Sequence, residues 1–358
     1  MRMNEMPKYW DNAATTPVDQ RVLDAMLPYF SEIFGNASSN HIYGRKAKAA
    51  IDTARNFVAE LINADSKEIY FTSGATESIN WAIKGYLEAN PEKGNHIITV
   101  KTEHKAVLNT CEYLETKGVE VTYLNVDENG LINLNELKDS IRPETSLVCV
   151  MHVNNEIGII QEIQEIGNIC TQANVAFFCD ATQAVGKIPV DVQENKIDLL
   201  CLSGHKFNGP KGIGALYVKK GIKLAPLIHG GGQESGMRGG TYNTPLIVGI
   251  GQAARIAKID FIKNAQSLHA KRLEVEAYLL KNNIATINFQ NQNTAPHIIS
   301  ASLINKDAED FILEHASEFA ISTGSACNSG LNTGSHVYRH VFINKENINI
   351  RISIDHDR

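Results

Sequence analysis

Hydrophobic positions along the chain change their period several times, and each change marks a structural boundary. Ala47, Ile51, Ala54, Phe57, Val58 and Leu61 recur at helical spacing, so "GRKAKAAIDTARNFVAELIN" is predicted to form an amphipathic helix. Seven short runs follow it: "EIYFTS", "HIITV", "EVTYLNV", "SLVCVMHV", "VAFFCD", "IDLLCLS" and "IGALYV". Several are apolar without alternation, the pattern of strands covered on both faces. Segments of helical period, among them "ESINWAIKGYL", "KAVLNTCEYLE" and "EIQEIGNICTQA", separate most of these runs. Strand and helix alternating in this way predict an α/β fold with a mostly parallel seven-stranded sheet flanked by helices.

The pattern changes again at Asn243, where a long helix is predicted with Pro245 in its first turn, a position that has no use for the missing N–H. "HIISASL", the helix "DAEDFILEHA" and a last strand "NINIRISI" follow. The expected division is a large domain over residues 17–250 and a small α+β domain built from residues 1–16 and 251–358. Neither a low-complexity linker nor an internal repeat is present.

Composition excludes several classes of function. With 358 residues, 43% hydrophobic and 21% charged, the chain reads as an ordinary globular protein with room for two domains. A net charge of -6 gives no general attraction to nucleic acid or anionic lipid, so direct nucleic-acid binding is not expected. The start "MRMNEMPKYWDN" has no apolar signal region and no segment approaches eighteen unbroken apolar residues. Neither export nor membrane spanning is expected, and a cytoplasmic location follows. The six cysteines show no C-x-x-C pair and no metal-ligand spacing, which predicts reduced thiols and no metal site. Cys149, Cys179 and Cys201 lie inside apolar runs as small hydrophobes. Cys327 stands apart in "STGSACNSGLNTGS", a stretch whose Gly, Ser and Asn content predicts a mobile surface loop.

In an open parallel sheet, ligand chemistry collects beyond the carboxyl ends of the strands. "EIYFTS" runs into "GATES", where Gly74, Ala75 and Thr76 offer backbone N–H groups and the positive end of a helix to an anion. "IITV" leads to His104, and "VAFFC" ends at Asp180, a carboxylate that is costly to bury unless a cation or donor answers it. "LLCLSGHK" ends at Lys206; a partly desolvated lysine has a lowered pKa and becomes an amine nucleophile. Taken singly, these features suit a strand-to-helix turn, a hydrogen-bonding histidine, a solvated loop acid and a surface lysine. Together they supply an amine for an aldehyde, a carboxylate for a protonated pyridine nitrogen, an imidazole to stack on a ring and a helix N-terminus for a phosphate. That set describes a site for pyridoxal 5'-phosphate (PLP), with Lys206 as its covalent anchor.

Ten motifs then occur in one order: "DNAATTPV", "FGNASS", "FTSGATES", "KTEHKAVL", "MHVNNEIGIIQ", "DATQAVGKIPVD", "SGHKFNGPKGIGALYV", "HGGGQESGMRGGT", "STGSACNS" and "IRIS". Through them nearly the whole chain resembles a cysteine desulfurase of the NifS/IscS-like group, within the class V aminotransferase family of fold type I PLP-dependent transferases. The resemblance implies Lys206 as the PLP lysine, Asp180 on the pyridine nitrogen and His104 over the ring. It implies Gln183 and Asn155 near the phenolic oxygen and the substrate, with the phosphate held at Ala75, Thr76, Ser203 and His205. Thr241 is implied to reach the phosphate from the neighbouring subunit of a homodimer. Arg351 is implied to bind the substrate carboxylate, assisted by Asn36 and Asn155. The catalytic set is then Lys206, His104 and Cys327. Cys327 takes sulfur from L-cysteine as a persulfide, leaves L-alanine, and hands the sulfur to an acceptor protein, a scaffold or a sulfurtransferase. Iron–sulfur cluster assembly, tRNA thiolation and DNA phosphorothioation are the routes such enzymes serve.

Two other readings stay open: a selenocysteine lyase or other class V PLP lyase or aminotransferase, and a non-catalytic sulfur-carrier or docking subunit. "HGGG" at residues 229–232 resembles an oxyanion-hole segment, but no G-x-S-x-G elbow accompanies it and a hydrolase is not expected. "HVYRH" spaces His336 and His340 one helical turn apart without a third ligand, which predicts surface histidines. Ala37 stands where the family often has Pro. Similar enzymes run from "IRIS" into "GR" and a further helix; here the stretch reads "IRISIDHDR", with Asp355 in the glycine position.

Overall fold

The computed structural model describes residues 6–323, 335–342 and 348–357. Its strands are β1 (Lys8–Tyr9), β2 (Ile69–Thr72), β3 (His96–Val100), β4 (Glu120–Leu124), β5 (Thr145–Cys149), β6 (Ala176–Asp180), β7 (Leu199–Ser203), β8 (Gly214–Val218), β9 (Ala285–Ile287), β10 (Ile298–Leu303), β11 (Phe319–Ala320) and β12 (Asn349–Ser353). Its helices are α1 (Gln20–Met26), α2 (Pro28–Ser31), α3 (Ile42–Leu61), α4 (Ala75–Ala89), α5 (Lys105–Glu115), α6 (Leu134–Ser140), α7 (Ile163–Ala173), α8 (Thr244–Ile259), α9 (Phe261–Lys281), α10 (Ala308–Glu314) and α11 (His336–Val341).

The seven apolar runs form one sheet in the order β2-β8-β7-β6-β5-β3-β4. Only β8 lies antiparallel to its neighbours β2 and β7, because a short connection joins it to β7; the remaining pairs are parallel. All the other strands therefore bring their carboxyl ends to one edge. The absence of alternation has a direct cause. Val148, Phe177, Cys179, Leu200 and Leu202 enter a layer with Ile51, Ile166 and Ile250, while Leu147, Phe178, Leu199 and Cys201 enter the opposite layer with Trp81, Ile83 and Val107. Truncating Phe178, which is fully buried, to alanine is expected to lower the unfolding free energy by about 3–5 kcal/mol, read by urea denaturation.

Helix α8 starts where Asn243 accepts the Leu246 N–H and Pro245 fills the first turn. It packs along α3 closely enough that a Cβ on Gly251 would lie 2.4 Å from the Ala54 Cβ. The long helix expected from Asn243 onward is instead two helices, broken at Asp260, which ends α8 and precedes α9. The break follows the packing: α8 buries Ile247, Ile250 and Ala254 in the large-sheet core, whereas α9 buries Leu268, Val275 and Leu279 in another. This second core lies on the antiparallel sheet β12-β10-β9, with Ile299, Ala301, Phe311, Ile350 and Ile352.

The N-terminal segment joins the two cores. β1 pairs in parallel with β11, and Trp10 stacks on Phe319 with ring centroids 5.5 Å apart. From there the chain crosses to the carboxyl edge of the large sheet, where the Thr16 N–H donates to the His205 carbonyl at 2.8 Å. Among the described residues no helix is long and apolar enough to cross a membrane.

Candidate active site

A cavity of about 540 Å³ opens at that carboxyl edge. It is lined by the ends of β2, β3, β5, β6 and β7, by residues 13–15, and by Arg351 from β12.

Lys206 follows β7 through the turn Gly204–Lys206. Its Nζ donates to the carbonyls of Ala13 at 2.7 Å and Ala14 at 2.9 Å. The turn holds independently of this side chain: Asn208 N–H donates to Thr16 Oγ1 at 2.8 Å, and Gly209 N–H to the Gly204 carbonyl at 2.9 Å. Asn208 takes φ 64°, a left-handed geometry that asparagine tolerates.

Asp180 closes β6 and is 4% exposed. Its Oδ1 accepts from the Thr182 N–H at 2.9 Å and from the Cys201 thiol at 3.3 Å. Nearby Glu103 is buried, with Oε1 accepting the Met151 N–H at 2.6 Å and Oε2 without a partner among the described residues. Burial first, and then Asp180, push its pKa well above the ordinary carboxyl value.

His104 caps α5, its Nδ1 accepting from the Ala106 N–H at 3.1 Å, which leaves Nε2 to carry the proton of the neutral ring. Burial lowers its pKa; Lys206, His336 and Lys105 add to the shift and Asp180 opposes it.

The anion subsite forms where β2 turns into α4. Gly74 takes φ 154°, and a Cβ on Gly214 would fall 2.7 Å from the Gly74 Cα, so the missing side chain of Gly214 allows this close approach. Ala75 and Thr76 line the cavity in the first turn of α4, where backbone N–H groups lack helical partners. Glu77 takes the Ser73 N–H at 2.8 Å and pairs with Arg238 at 2.9 Å, so it is turned to other partners. Ser203 and His205 complete the wall. Burial, with Lys206 and Lys211, lowers the His205 pKa to about 4, so this ring acts as a neutral hydrogen-bonding group, and its Nδ1 lies 3.1 Å from Thr15 Oγ1.

Arg351 is 2% exposed. Its Nη2 donates to Asp11 Oδ1 at 2.6 Å and its Nη1 to the Asn155 carbonyl at 2.8 Å, while its buried Nε has no partner among the described residues. Gln183 donates to the Ala13 carbonyl at 2.9 Å, and its Oε1 lies 3.2 Å from His297 Nε2. The structure thus gathers Ala75, Thr76, His104, Asn155, Asp180, Gln183, Ser203, His205, Lys206 and Arg351 around one cavity. Asn36 and Thr241 are exposed and outside its lining; Asn36 Oδ1 accepts the Ser38 N–H at 2.9 Å. Cys327 lies outside the described residues.

His336 is not a surface residue: it lines the cavity and its Nε2 donates to the Glu103 carbonyl at 2.9 Å, while His340 is exposed. The spacing of two histidines on a short helix carries no trace of the other unit against which that helix packs. Asp11 was also missed; its chemistry becomes visible only through Arg351, 340 positions away. Among the described residues no group of three or more His, Cys, Asp or Glu is placed to hold a metal ion.

A family model described as aminotransferase class-V matches residues 8–356, a span that includes every wall of this cavity. The chain belongs to that family. A curated relative, the cysteine desulfurase IscS of Neisseria gonorrhoeae, is 50% identical over 347 residues, covering 95% of this chain and 85% of its own. Among solved structures, a NifS-like protein superposes with TM-score 0.90 at 37% identity, covering 98% of this chain and 94% of its own. SspA in complex with cysteine gives TM-score 0.89 at 41% identity, with 98% and 99% covered. The family's fold type I, with its mixed seven-stranded sheet, is the one expected from the sequence.

Proposed function

We propose that the chain is a PLP-dependent cysteine desulfurase that converts L-cysteine to L-alanine and moves the sulfur to Cys327 as a persulfide. The observation that carries this reading is the convergence of Lys206, Asp180, His104 and Arg351 on one cavity, in a chain whose relatives bear that name. The residues fit the cofactor. A buried carboxylate at Asp180 matches a protonated ring nitrogen, the first turn of α4 with Ser203 and His205 matches a phosphate, and Lys206 supplies the amine. His104, Gln183 and Asn155, which line the cavity, would hold the ring, and Thr241 is assigned to the phosphate of a second copy. When bound, PLP supplies an electron sink for a carbanion at the substrate α-carbon.

The protein's own groups do the rest. Arg351 pairs with the substrate carboxylate, its guanidinium already oriented by Asp11 and the Asn155 carbonyl, and Asn36 is assigned beside it. Lys206 Nζ takes the α-proton as general base. The Cys327 thiolate attacks the substrate sulfur; the S–S bond forms, the C–S bond breaks, and its electron pair stays with the carbon that becomes the alanine methyl. His104 meets this step neutral, and a thiol proton taken there would land on Nδ1 at the expense of the Ala106 contact.

Because burial lowers the His104 pKa, the acid limb that this ring contributes to alanine formation is expected below 6.5, the ordinary histidine value. A pH profile of kcat/KM checks this, with the acid limb lost in His104→Gln.

The same reading includes a cytoplasmic homodimer and a sulfur-acceptor protein. Exposed Leu27, Phe30, Phe34, Ile42 and Tyr43 offer an apolar surface for the second copy, and sedimentation at twice the chain mass tests it. A small domain is proposed to begin at Asp260, since α8 packs wholly with the large sheet. The deciding assay adds L-cysteine to yellow, PLP-loaded protein and measures L-alanine and persulfide. A selenocysteine lyase would favour L-selenocysteine, and a carrier subunit would release no alanine.

A further inference from the structure

β12 carries Arg351, and four residues further on lies Asp355, a carboxylate 9% exposed. Its Oδ1 meets Lys187 Nζ at 3.0 Å, its Oδ2 accepts from Asn208 Nδ2 at 2.6 Å, and His356 Nδ1 lies 3.1 Å from Oδ1. Lys187 is itself 4% exposed, so both charges of this pair have left water. Burial alone would raise the carboxyl pKa, but Lys187, His356 and Asn208 hold it well below the usual carboxylate range. Asp355 is therefore ionised at neutral pH.

The partners' positions matter more than the charge. Lys187 belongs to the segment that leaves β6 directly after Asp180 and that also carries Gln183. Asn208 stands two residues beyond Lys206, in the left-handed turn that returns to Thr16. The Asp355 backbone carbonyl also accepts from Lys271 Nζ of α9 at 3.0 Å. One residue therefore ties the Arg351 strand to the segment behind Asp180, to the Lys206 turn, and to α9.

We propose that Asp355 is a positioning residue that fixes the separation between Arg351, which holds the substrate carboxylate, and the Lys206 and Asp180 segments, which hold the cofactor. The inference rests on the proposed function, because its main readout is the affinity for L-cysteine. Removing one partner of a buried hydrogen-bonded pair leaves the other charge uncompensated and lets the segments shift, and misplacement of about 1 Å can cost 10²-fold in rate.

The test compares Asp355→Asn, Lys187→Met and Asn208→Ala, singly and with the first two combined, in the PLP-loaded full chain. The KM for L-cysteine is expected to rise about tenfold in each single variant, with a smaller change in kcat and the yellow colour retained. The combined variant should be no worse than the poorer single one, since both remove one interaction. Amide hydrogen exchange over residues 199–210 should quicken in Asp355→Asn and Asn208→Ala, while β5 stays protected. If the Asp355 and Lys187 variants do not accumulate, Asn208→Ala, which leaves the ion pair whole, gives the same reading. KM within twofold of the parent together with unchanged exchange over 199–210, even at a lower melting temperature, would overturn the proposal and leave the pair a purely structural one. A parent protein that makes no alanine would overturn the proposed function instead, and the exchange result would still judge the tie between Asp355 and the Lys206 turn.

Discussion

Replacing Lys206 by alanine is expected to reduce alanine formation by about 10³-fold or more, a loss consistent with removing a general base that contributes 10²–10⁴ together with the cofactor's anchor. The fold should survive. The turn is held by Thr16, Asn208 and Gly209 through bonds that do not involve the lysine side chain. The carbonyls of Ala13 and Ala14 lose a donor at a cavity wall, where water can replace it. Lys206→Arg gives the sharper result. Arginine keeps a positive charge opposite those two carbonyls but does not lose its proton in proteins, so it can neither condense with an aldehyde nor take an α-proton. Activity in the arginine variant near that of the parent would show that the charge alone matters.

Cys327→Ser is expected to abolish persulfide and to lower alanine formation by about 10³-fold, while L-cysteine still changes the visible spectrum of the loaded protein. The reason lies in the remaining thiols. Cys111, Cys149, Cys170, Cys179 and Cys201 are all buried. Burial pushes the pKa of Cys111 and Cys170 up to about 12 and that of Cys149, Cys179 and Cys201 well above 9.0. None supplies thiolate near neutrality, and the thiolate is the nucleophile. Alanine production by the serine variant at the parent's rate would remove Cys327 from the reaction. Sulfur found on Cys201, the thiol beside Asp180, would reassign it.

What could be read in the sequence depended on how local the cause was. The inner strands of the large sheet announced themselves because burial on both faces writes a largely apolar run, as in Leu199–Ser203. Asp180 and Lys206 were legible as chemistry because a charged residue directly after such a run needs a reason. Helix α5 matched its expected span because His104 caps it within its own segment. The break at Asp260 left no such mark: helical period continues on both sides, and only the identity of the two cores reveals the change of partner. His336, Asp11 and Asp355 were missed or left unexplained for a related cause, since each acts across the seam between the two sheets. Their partners, Glu103, Arg351 and Lys187, lie 233, 340 and 168 positions away.

We propose that the Lys206 amine and the Cys327 thiol, far apart in the sequence, act on one L-cysteine molecule. Mass spectrometry of the loaded protein after a single addition of L-cysteine, without reductant, tests it most directly. A gain of one sulfur atom is expected on the peptide bearing Cys327, in step with one equivalent of L-alanine. Alanine appearing with Cys327 unmodified and sulfide free in solution from the first turnover would contradict it.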